Sequence, residues 1–108
     1  MSAKKQEYAK VKLRGMLAAD VELRDMEPGE DEANFPLAVS FERDGRDVVD
    51  YHRVVVTGKD ARLCERQLSK GSVVQIVGEL RNRSFDDKNG MRHYRTEILA
   101  DGIVLVII

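Results

Sequence analysis

The sequence has a single cysteine, few histidines and no long apolar run, and each shortage removes a class of protein. Cys64 alone cannot form an intrachain disulfide or a cysteine-based zinc site. We interpret it as a small apolar side chain on a helix face, not as a reactive thiol. No segment approaches the roughly 20 apolar residues of a membrane span, and MSAKKQEYAK at the start lacks the apolar core of a signal peptide. We therefore expect a soluble, cytoplasmic protein.

The groups that catalysis needs are scarce. His52 and His93 are the only histidines, and the sequence contains no Gly-x-Ser-x-Gly, His-Glu-x-x-His or phosphate-loop motif. Asp86 and Asp87 are adjacent carboxylates, but a turn rich in Asp, Asn and Gly accounts for them without a metal. We expect no enzymatic activity, no cofactor and no metal site.

Length and composition predict one domain. The chain has 108 residues, 43% apolar and 34% charged, which suits a single core over residues 1–108 with a flexible start at 1–7. The formal net charge is −1, but residues 1–14 carry five basic side chains against one acidic, and residues 20–32 carry seven acidic against one basic. This asymmetry can leave one face basic, and a local basic surface is the feature that nucleic-acid binding requires.

Alternation of apolar and polar residues predicts strands. The alternating segments are 11–17, 35–41, 50–56, 72–83 and 93–100. Gly15 in the first segment indicates a bulge or close packing. Asp101–Gly102 predicts a turn, after which IVLVII forms a buried or partner-facing strand.

One segment breaks this pattern. Within residues 58–71, Ala61, Cys64 and Leu68 recur at helical spacing. Strands with one helix between the third and the fourth predict an all-β fold, a five-stranded Greek-key OB-fold barrel with one short helix. Asn89–Gly90 predicts a long hairpin between the fourth and fifth strands.

Aromatic residues among basic ones indicate binding of single-stranded nucleic acid, which is held by cations along its phosphates and by bases stacked on rings. Phe85 stands between polar residues near a turn, and Tyr51 stands close to Arg53. Tyr94 and Phe41 are further candidates for stacking. For Tyr51 and Tyr94 the alternative is packing within a strand. Phe85 could instead cap the barrel or a partner, and Phe41, which follows the alternation, could lie in the core or at the rim of the barrel. The hairpin around Phe85 also contains Arg81, Arg83, Lys88 and Arg92.

The segment YHRVVVTGKDARLCERQLSKGSVVQIVGELRNRSFDDKNGMRHYRTEI resembles the bacterial and mitochondrial single-stranded DNA-binding protein family. The family pattern runs aromatic-His-Arg-Val, Gly-Lys before a helix, Leu-x-Lys-Gly-Ser, a basic and aromatic hairpin, and Tyr-x-Thr-Glu-Ile. KVKLRGMLAADVELR and FPLAVS are similar to its opening strands, so the resemblance covers about residues 10–107. It implies binding and protection of single-stranded DNA with little sequence preference.

The resemblance also implies roles for single residues. Tyr51 falls where the family usually has a stacking Trp, and Phe85 takes the position of the stacking aromatic residue in the long hairpin. His52 takes the position of a family histidine that supports subunit assembly. The candidate phosphate contacts in the chain are Lys10, Lys12, Arg43, Arg53, Lys59, Arg81, Arg83, Lys88 and Arg92. A homotetramer, with a homodimer as the second choice, is expected because sheet edges and an apolar terminal strand favour assembly.

The sequence departs from the family pattern at three points. It has no Trp, and Thr57 stands where many members have a stacking Phe, so weaker binding or fewer stacked bases are expected. It ends at IVLVII without the flexible linker and acidic tip of the family, so the sequence does not support recruitment of replication proteins through a tail. The acidic segment EPGEDE is more negative than expected near DNA.

Two other functions fit the sequence less well. A primosomal replication protein shares this fold and acts as a dimeric adaptor in helicase loading. A protein-interaction module would use the acidic segment as its surface. The resemblance favours a nucleoid-associated protein of DNA replication, recombination and repair over both.

Overall fold

The computed structural model describes residues 7–24 and 29–106, most of which lie in strands. The elements are β1 (Lys10–Leu17), β2 (Glu22–Arg24), β3 (Glu32–Arg43), β4 (Arg46–Thr57), α1 (Lys59–Gln67), β5 (Val73–Asp86) and β6 (Arg92–Leu105). Three predictions fall wholly or partly outside the described residues: the flexible start, the first part of the acidic segment and the end of the terminal strand.

Five long strands form a closed barrel. The sheet order is β1-β5-β6-β4-β3-β2, and pairing of β1 with β3 at Met16 and Leu17 closes it. Neighbouring strands are antiparallel except β4 and β6, which run parallel. Helix α1 connects β4 to β5, the third and fourth long strands, and the three-residue β2 pairs with β3. This arrangement confirms the predicted OB-fold.

The apolar faces of the strands and of the helix form the core. Phe35 and Leu37 of β3 are fully buried, as the alternation predicts. The three side chains that recur at helical spacing are all buried: Ala61 and Cys64 lie in α1, and Leu68 is the residue that caps its C-terminus. Burial, with a smaller contribution from the nearby Asp60 carboxylate, raises the pKa of the Cys64 thiol. A thiolate is therefore disfavoured at neutral pH, in agreement with an apolar role for Cys64.

The predicted turn at Asp101–Gly102 is wrong, because β6 continues through both residues to Leu105. The register passes from the pair Val77 and Gly102 to the pair Gly78 and Ala100, so that Asp101 is the extra residue of a β-bulge. Asp and Gly here mark a shift of strand register and not a reversal of the chain. The described part of the terminal apolar segment consequently extends β6.

Two glycines allow strands to approach more closely than a side chain would permit. A Cβ atom on Gly15 would overlap the carbonyl oxygen of Ala38 in β3. A Cβ atom on Gly78 would overlap the carbonyl oxygen of Leu99 in β6. The close packing predicted at Gly15 is confirmed, and it lies beside the pairs that close the barrel.

Candidate nucleic-acid interface

Tyr51 and Phe85 lie on the same side of the sheet, the side that points away from the core. Val54 of β4 and Ile98 of β6 are paired and buried in the core. Because side chains alternate along a strand, Tyr51 points away from the core, and so does His93. Phe85 pairs with His93 and shares its side, hereafter the outer face. Tyr51 is 68% exposed and Phe85 is 41% exposed, so both rings are accessible to a ligand.

Phe85 forms a cluster with two residues of the neighbouring strand. Its ring stacks on His93, with 5.2 Å between the ring centroids and 18° between the ring planes. The guanidinium carbon of Arg95 lies 5.2 Å from the centroid of the Phe85 ring, which is a cation–π distance. These three residues, hereafter the Phe85 cluster, place a positive charge beside an accessible ring. Such a pair suits a stacked base and its adjacent phosphate.

Asp87 holds the turn next to the Phe85 cluster. Its Oδ1 accepts hydrogen bonds from the backbone N–H groups of Asn89 at 2.8 Å and Met91 at 3.0 Å. Its Oδ2 lies 2.7 Å from Nε2 of His93. The hydrogen bond with His93, followed by those from the backbone, lowers the pKa of Asp87 below its usual value. The ionised Asp87 therefore both shapes the turn and fixes the His93 ring against Phe85.

The other two predicted rings face the opposite way. Phe41 occupies the same side of β3 as the buried Leu37, and Tyr94 the same side of β6 as the buried Ile98. Both lie beyond the core and are exposed, Phe41 at 37% and Tyr94 at 77%. The guanidinium carbon of Arg43 lies 5.9 Å from the Phe41 centroid. The four rings are thus divided between two faces of the sheet.

Arg53 and Arg83, both predicted to contact phosphate, are bonded to acceptors that are buried. Nη2 of Arg83 lies 3.0 Å from Oε1 of Glu32, and its Nε lies 3.1 Å from Oε1 of Glu97. Nε of Arg53 lies 3.5 Å from Oε2 of Glu97, and its Nη2 donates to Oδ1 of Asn34 at 2.9 Å. The three acceptor residues are buried, whereas the Arg53 and Arg83 side chains remain 38% and 47% exposed. Each guanidinium group is therefore both anchored and accessible.

The other predicted phosphate contacts are exposed and spread over the molecule. Arg81 pairs with Glu79 at 3.7 Å, and Arg92 pairs with Asp86 at 3.1 Å, both within the β5–β6 hairpin. The rest are Lys10 and Lys12 in β1, Arg43 at the end of β3, Lys59 at the start of α1 and Lys88 in the turn after β5. Within residues 7–24 and 29–106, these lysines form no ion pair.

Four residues of the outer face are not predicted from the sequence, namely His93, Arg95, Glu32 and Glu97. A signal for the first two exists, because a turn at Asn89–Gly90 places His93 opposite Phe85 and Arg95 two positions further along the same side. Glu32 gives no such signal, since it meets Arg83 across a sequence separation of 51.

One further predicted site residue is His52, for which the resemblance to the family implies a role in subunit assembly. His52 is half-buried in β4, opposite Leu37 of β3.

The described residues contain no group of three or more His, Cys, Asp or Glu side chains that could hold a metal ion. None of the helices among those residues has the length and apolar character needed to cross a membrane.

An OB-fold barrel with exposed rings and anchored arginines on one face is a nucleic-acid-binding type of architecture. The sequence profile of the Single-strand binding protein family matches residues 8–106. The chain therefore belongs to the single-strand binding protein family.

Individual relatives agree with this assignment. The chain is 40% identical over 98 residues to the Single-stranded DNA-binding protein of Clostridium tetani, covering 87% of the chain and 67% of the relative. It is 39% identical over 98 residues to Single-stranded DNA-binding protein 3 of Clostridium acetobutylicum, with the same coverage. It is 37% identical over 94 residues to Single-stranded DNA-binding protein 1 of Staphylococcus aureus, covering 84% of the chain. The matches span 60% to 67% of the lengths of these three relatives.

Proposed function

We propose that this chain binds single-stranded DNA with little dependence on base sequence and without catalysing a reaction. The observation that carries the proposal is the outer face, on which Tyr51 and Phe85 are exposed together with the guanidinium groups of Arg53 and Arg83. Every base has a π-face, so stacking tolerates any sequence, and cations follow the phosphates that all strands share. Family membership and the names of the relatives support the same ligand.

A single strand on the outer face would stack bases on Tyr51 and on the Phe85 cluster. Its phosphates would contact Arg53, Arg81 and Arg83 on the same face. A DNA strand that continues around the barrel would contact Phe41 and Tyr94, which lie on the opposite side of the β3–β4 and β5–β6 hairpins. The proposed phosphate contacts along such a longer path are Lys10, Lys12, Arg43, Lys59, Lys88 and Arg92.

Titration of a labelled oligo-dT of several tens of nucleotides, followed by fluorescence anisotropy, tests the proposal. We expect tight binding to the single strand and much weaker binding to the matching duplex. The logarithm of the binding constant should fall linearly with the logarithm of salt concentration, with a slope of about −0.7 for each phosphate neutralised. Failure to bind oligo-dT at low salt would contradict the proposal and favour a protein-interaction module.

We further propose that the chain assembles into a homotetramer, with a homodimer as the alternative, and that His52 lies at a subunit contact. His52 is half-buried. It lies on the side of β4 that faces the core, at the end of the barrel interior. Replacement of His52 by Trp is expected to lower the oligomer mass, because a bulky ring cannot fit a packed contact. Light scattering measures the mass. A tetramer that persists in this variant would remove His52 from the interface.

The setting that fits this activity is the bacterial cytoplasm, on nucleoid DNA that replication, recombination or repair has made single-stranded. The names of the relatives do not favour the dimeric primosomal adaptor. The same oligo-dT titration, repeated after replacement of Tyr51 and Phe85 by Ala, separates the proposed function from a protein-interaction role. Only the proposed function requires these two rings to contact a nucleic acid.

A further inference from the structure

We propose that Glu97 and Glu32 are positioning residues for DNA binding, which hold the guanidinium groups of Arg53 and Arg83 in one orientation on the outer face. This inference rests on the proposed function, because it concerns how the same face is organised before the strand arrives. Neither glutamate is itself accessible to DNA, since Glu97 is 5% exposed and Glu32 is 8% exposed.

One buried carboxylate links two arginines from different strands. Glu97 of β6 uses Oε1 for Arg83 of β5 and Oε2 for Arg53 of β4. Glu32 of β3 takes a second nitrogen of Arg83 and also lies 3.8 Å from Nη1 of Arg24 in β2. The network therefore joins five strands and fixes Arg83 from two directions.

The anchored arginines keep donors for a ligand. A guanidinium group carries five N–H donors. Arg53 and Arg83 each use Nε and Nη2 in the network. Within the described residues, Nη1 of Arg53 and Nη1 of Arg83 form no hydrogen bond or ion pair. Because both side chains are partly exposed, these remaining donors can reach a phosphate without breaking the network.

Two effects of the glutamates on DNA binding oppose each other. Their negative charges reduce the attraction of the outer face for phosphate. Their bonds also remove, before binding, the rotational freedom that a mobile arginine loses when a ligand immobilises it. The carboxylates lie beneath the guanidinium groups, which neutralise them, so we expect the ordering effect to be the larger of the two.

The replacement Glu97→Gln separates the two effects, because it makes the protein one charge more positive while it loosens Arg53 and Arg83. We expect its affinity for oligo-dT to fall by about threefold or more, a factor typical of ordering one or two long side chains. Glu79→Gln is the matched control. It removes one charge from the same face, but Glu79 is 39% exposed and, among the residues that the structure describes, pairs only with the exposed Arg81. Its affinity should be unchanged or slightly higher.

Two further variants show whether Glu97 acts through the arginines. In a background of Arg53→Gln and Arg83→Gln, the replacement Glu97→Gln should no longer weaken binding. Glu32→Gln, which loosens Arg83 and Arg24 but not Arg53, should weaken binding in the same direction as Glu97→Gln. Melting temperature and oligomer mass are measured for each variant, and Glu32→Gln decides the question if Glu97→Gln does not fold.

The outcomes distinguish this inference from the proposed function. If the unaltered protein does not bind oligo-dT, the proposed function itself is wrong. If it binds and the folded Glu97→Gln variant binds equally well or more tightly, the glutamates act only as negative charges and the positioning role is overturned. If Glu97→Gln still weakens DNA binding in the background that lacks Arg53 and Arg83, the positioning role is also overturned, since the effect would then not pass through these two arginines.

Discussion

Replacing Tyr51 and Phe85 together by Ala is expected to weaken the binding of oligo-dT by about 30-fold or more at a fixed salt concentration. A base stacked on an aromatic ring contributes ~1–3 kcal/mol, and about 1.4 kcal/mol corresponds to a factor of ten in affinity. Both side chains are exposed on the outer face, so their loss should leave the barrel folded. Fluorescence anisotropy measures the affinity, and circular dichroism and light scattering check the fold and the oligomer mass.

Of the two single variants, Phe85→Ala should have the larger effect. The Phe85 ring contacts His93 and Arg95, so its removal also leaves the Arg95 guanidinium without its cation–π partner. Tyr51 is more exposed and takes part in no comparable ring contact among the described residues. Phe85→Trp keeps an aromatic platform and should retain binding. Because the sequence has no Trp, this variant also introduces a single indole whose fluorescence reports a stacked base.

The matched control is the pair Phe41→Ala and Tyr94→Ala, which removes two exposed rings from the opposite side of the sheet. We expect a smaller loss than for the outer-face pair, because these rings are reached only by a strand that wraps around the hairpins. Unchanged affinity after loss of Tyr51 and Phe85 would show that neither ring stacks on a base. A larger loss from the control pair would place the main DNA path on the opposite face.

The aromatic candidates show how far sequence patterns reach. Phe85 is recognisable because polar residues flank it beside a turn, and its exposure agrees with that interpretation. The division of the four rings between two faces also follows from alternation, once Leu37 and Ile98 are known to be buried. Composition alone groups all four rings, because it contains no information on which side of a strand each residue faces.

The features that escape prediction depend on pairing between distant strands. The order of strands and helix is sufficient for the OB-fold, because local periodicity specifies each element. Nothing local indicates that Glu97 and Glu32 neutralise Arg53 and Arg83, since these partners meet only after the barrel closes. Asp101–Gly102 is misjudged for a related reason: a turn and a β-bulge use the same residues, and the pairing of β5 with β6 selects the bulge.

Barrel closure makes Gly15 and Gly78 the positions where a single methyl group is expected to cost the most stability. In Gly15→Ala or Gly78→Ala, the new Cβ would overlap a backbone carbonyl oxygen of a paired strand, at Ala38 or Leu99. A side chain could rotate away, but a paired backbone must shift as a unit. We expect each variant to lose about 3 kcal/mol, the upper part of the usual range for overpacking. The melting temperature should then fall by about 12 °C or more at equal protein concentration.

Gly102→Ala is the matched control for these two variants, because Gly102 lies in the same sheet and a Cβ there meets no atom of the described residues within 4 Å. Its backbone is not in the left-handed region, so alanine also brings no strain and should change stability by less than about 1 kcal/mol. If all three variants melt alike, the close approach of strands at Gly15 and Gly78 does not limit packing. If only Gly78→Ala is tolerated, the adjacent β-bulge absorbs the shift, and closure between β1 and β3 is the tighter of the two contacts.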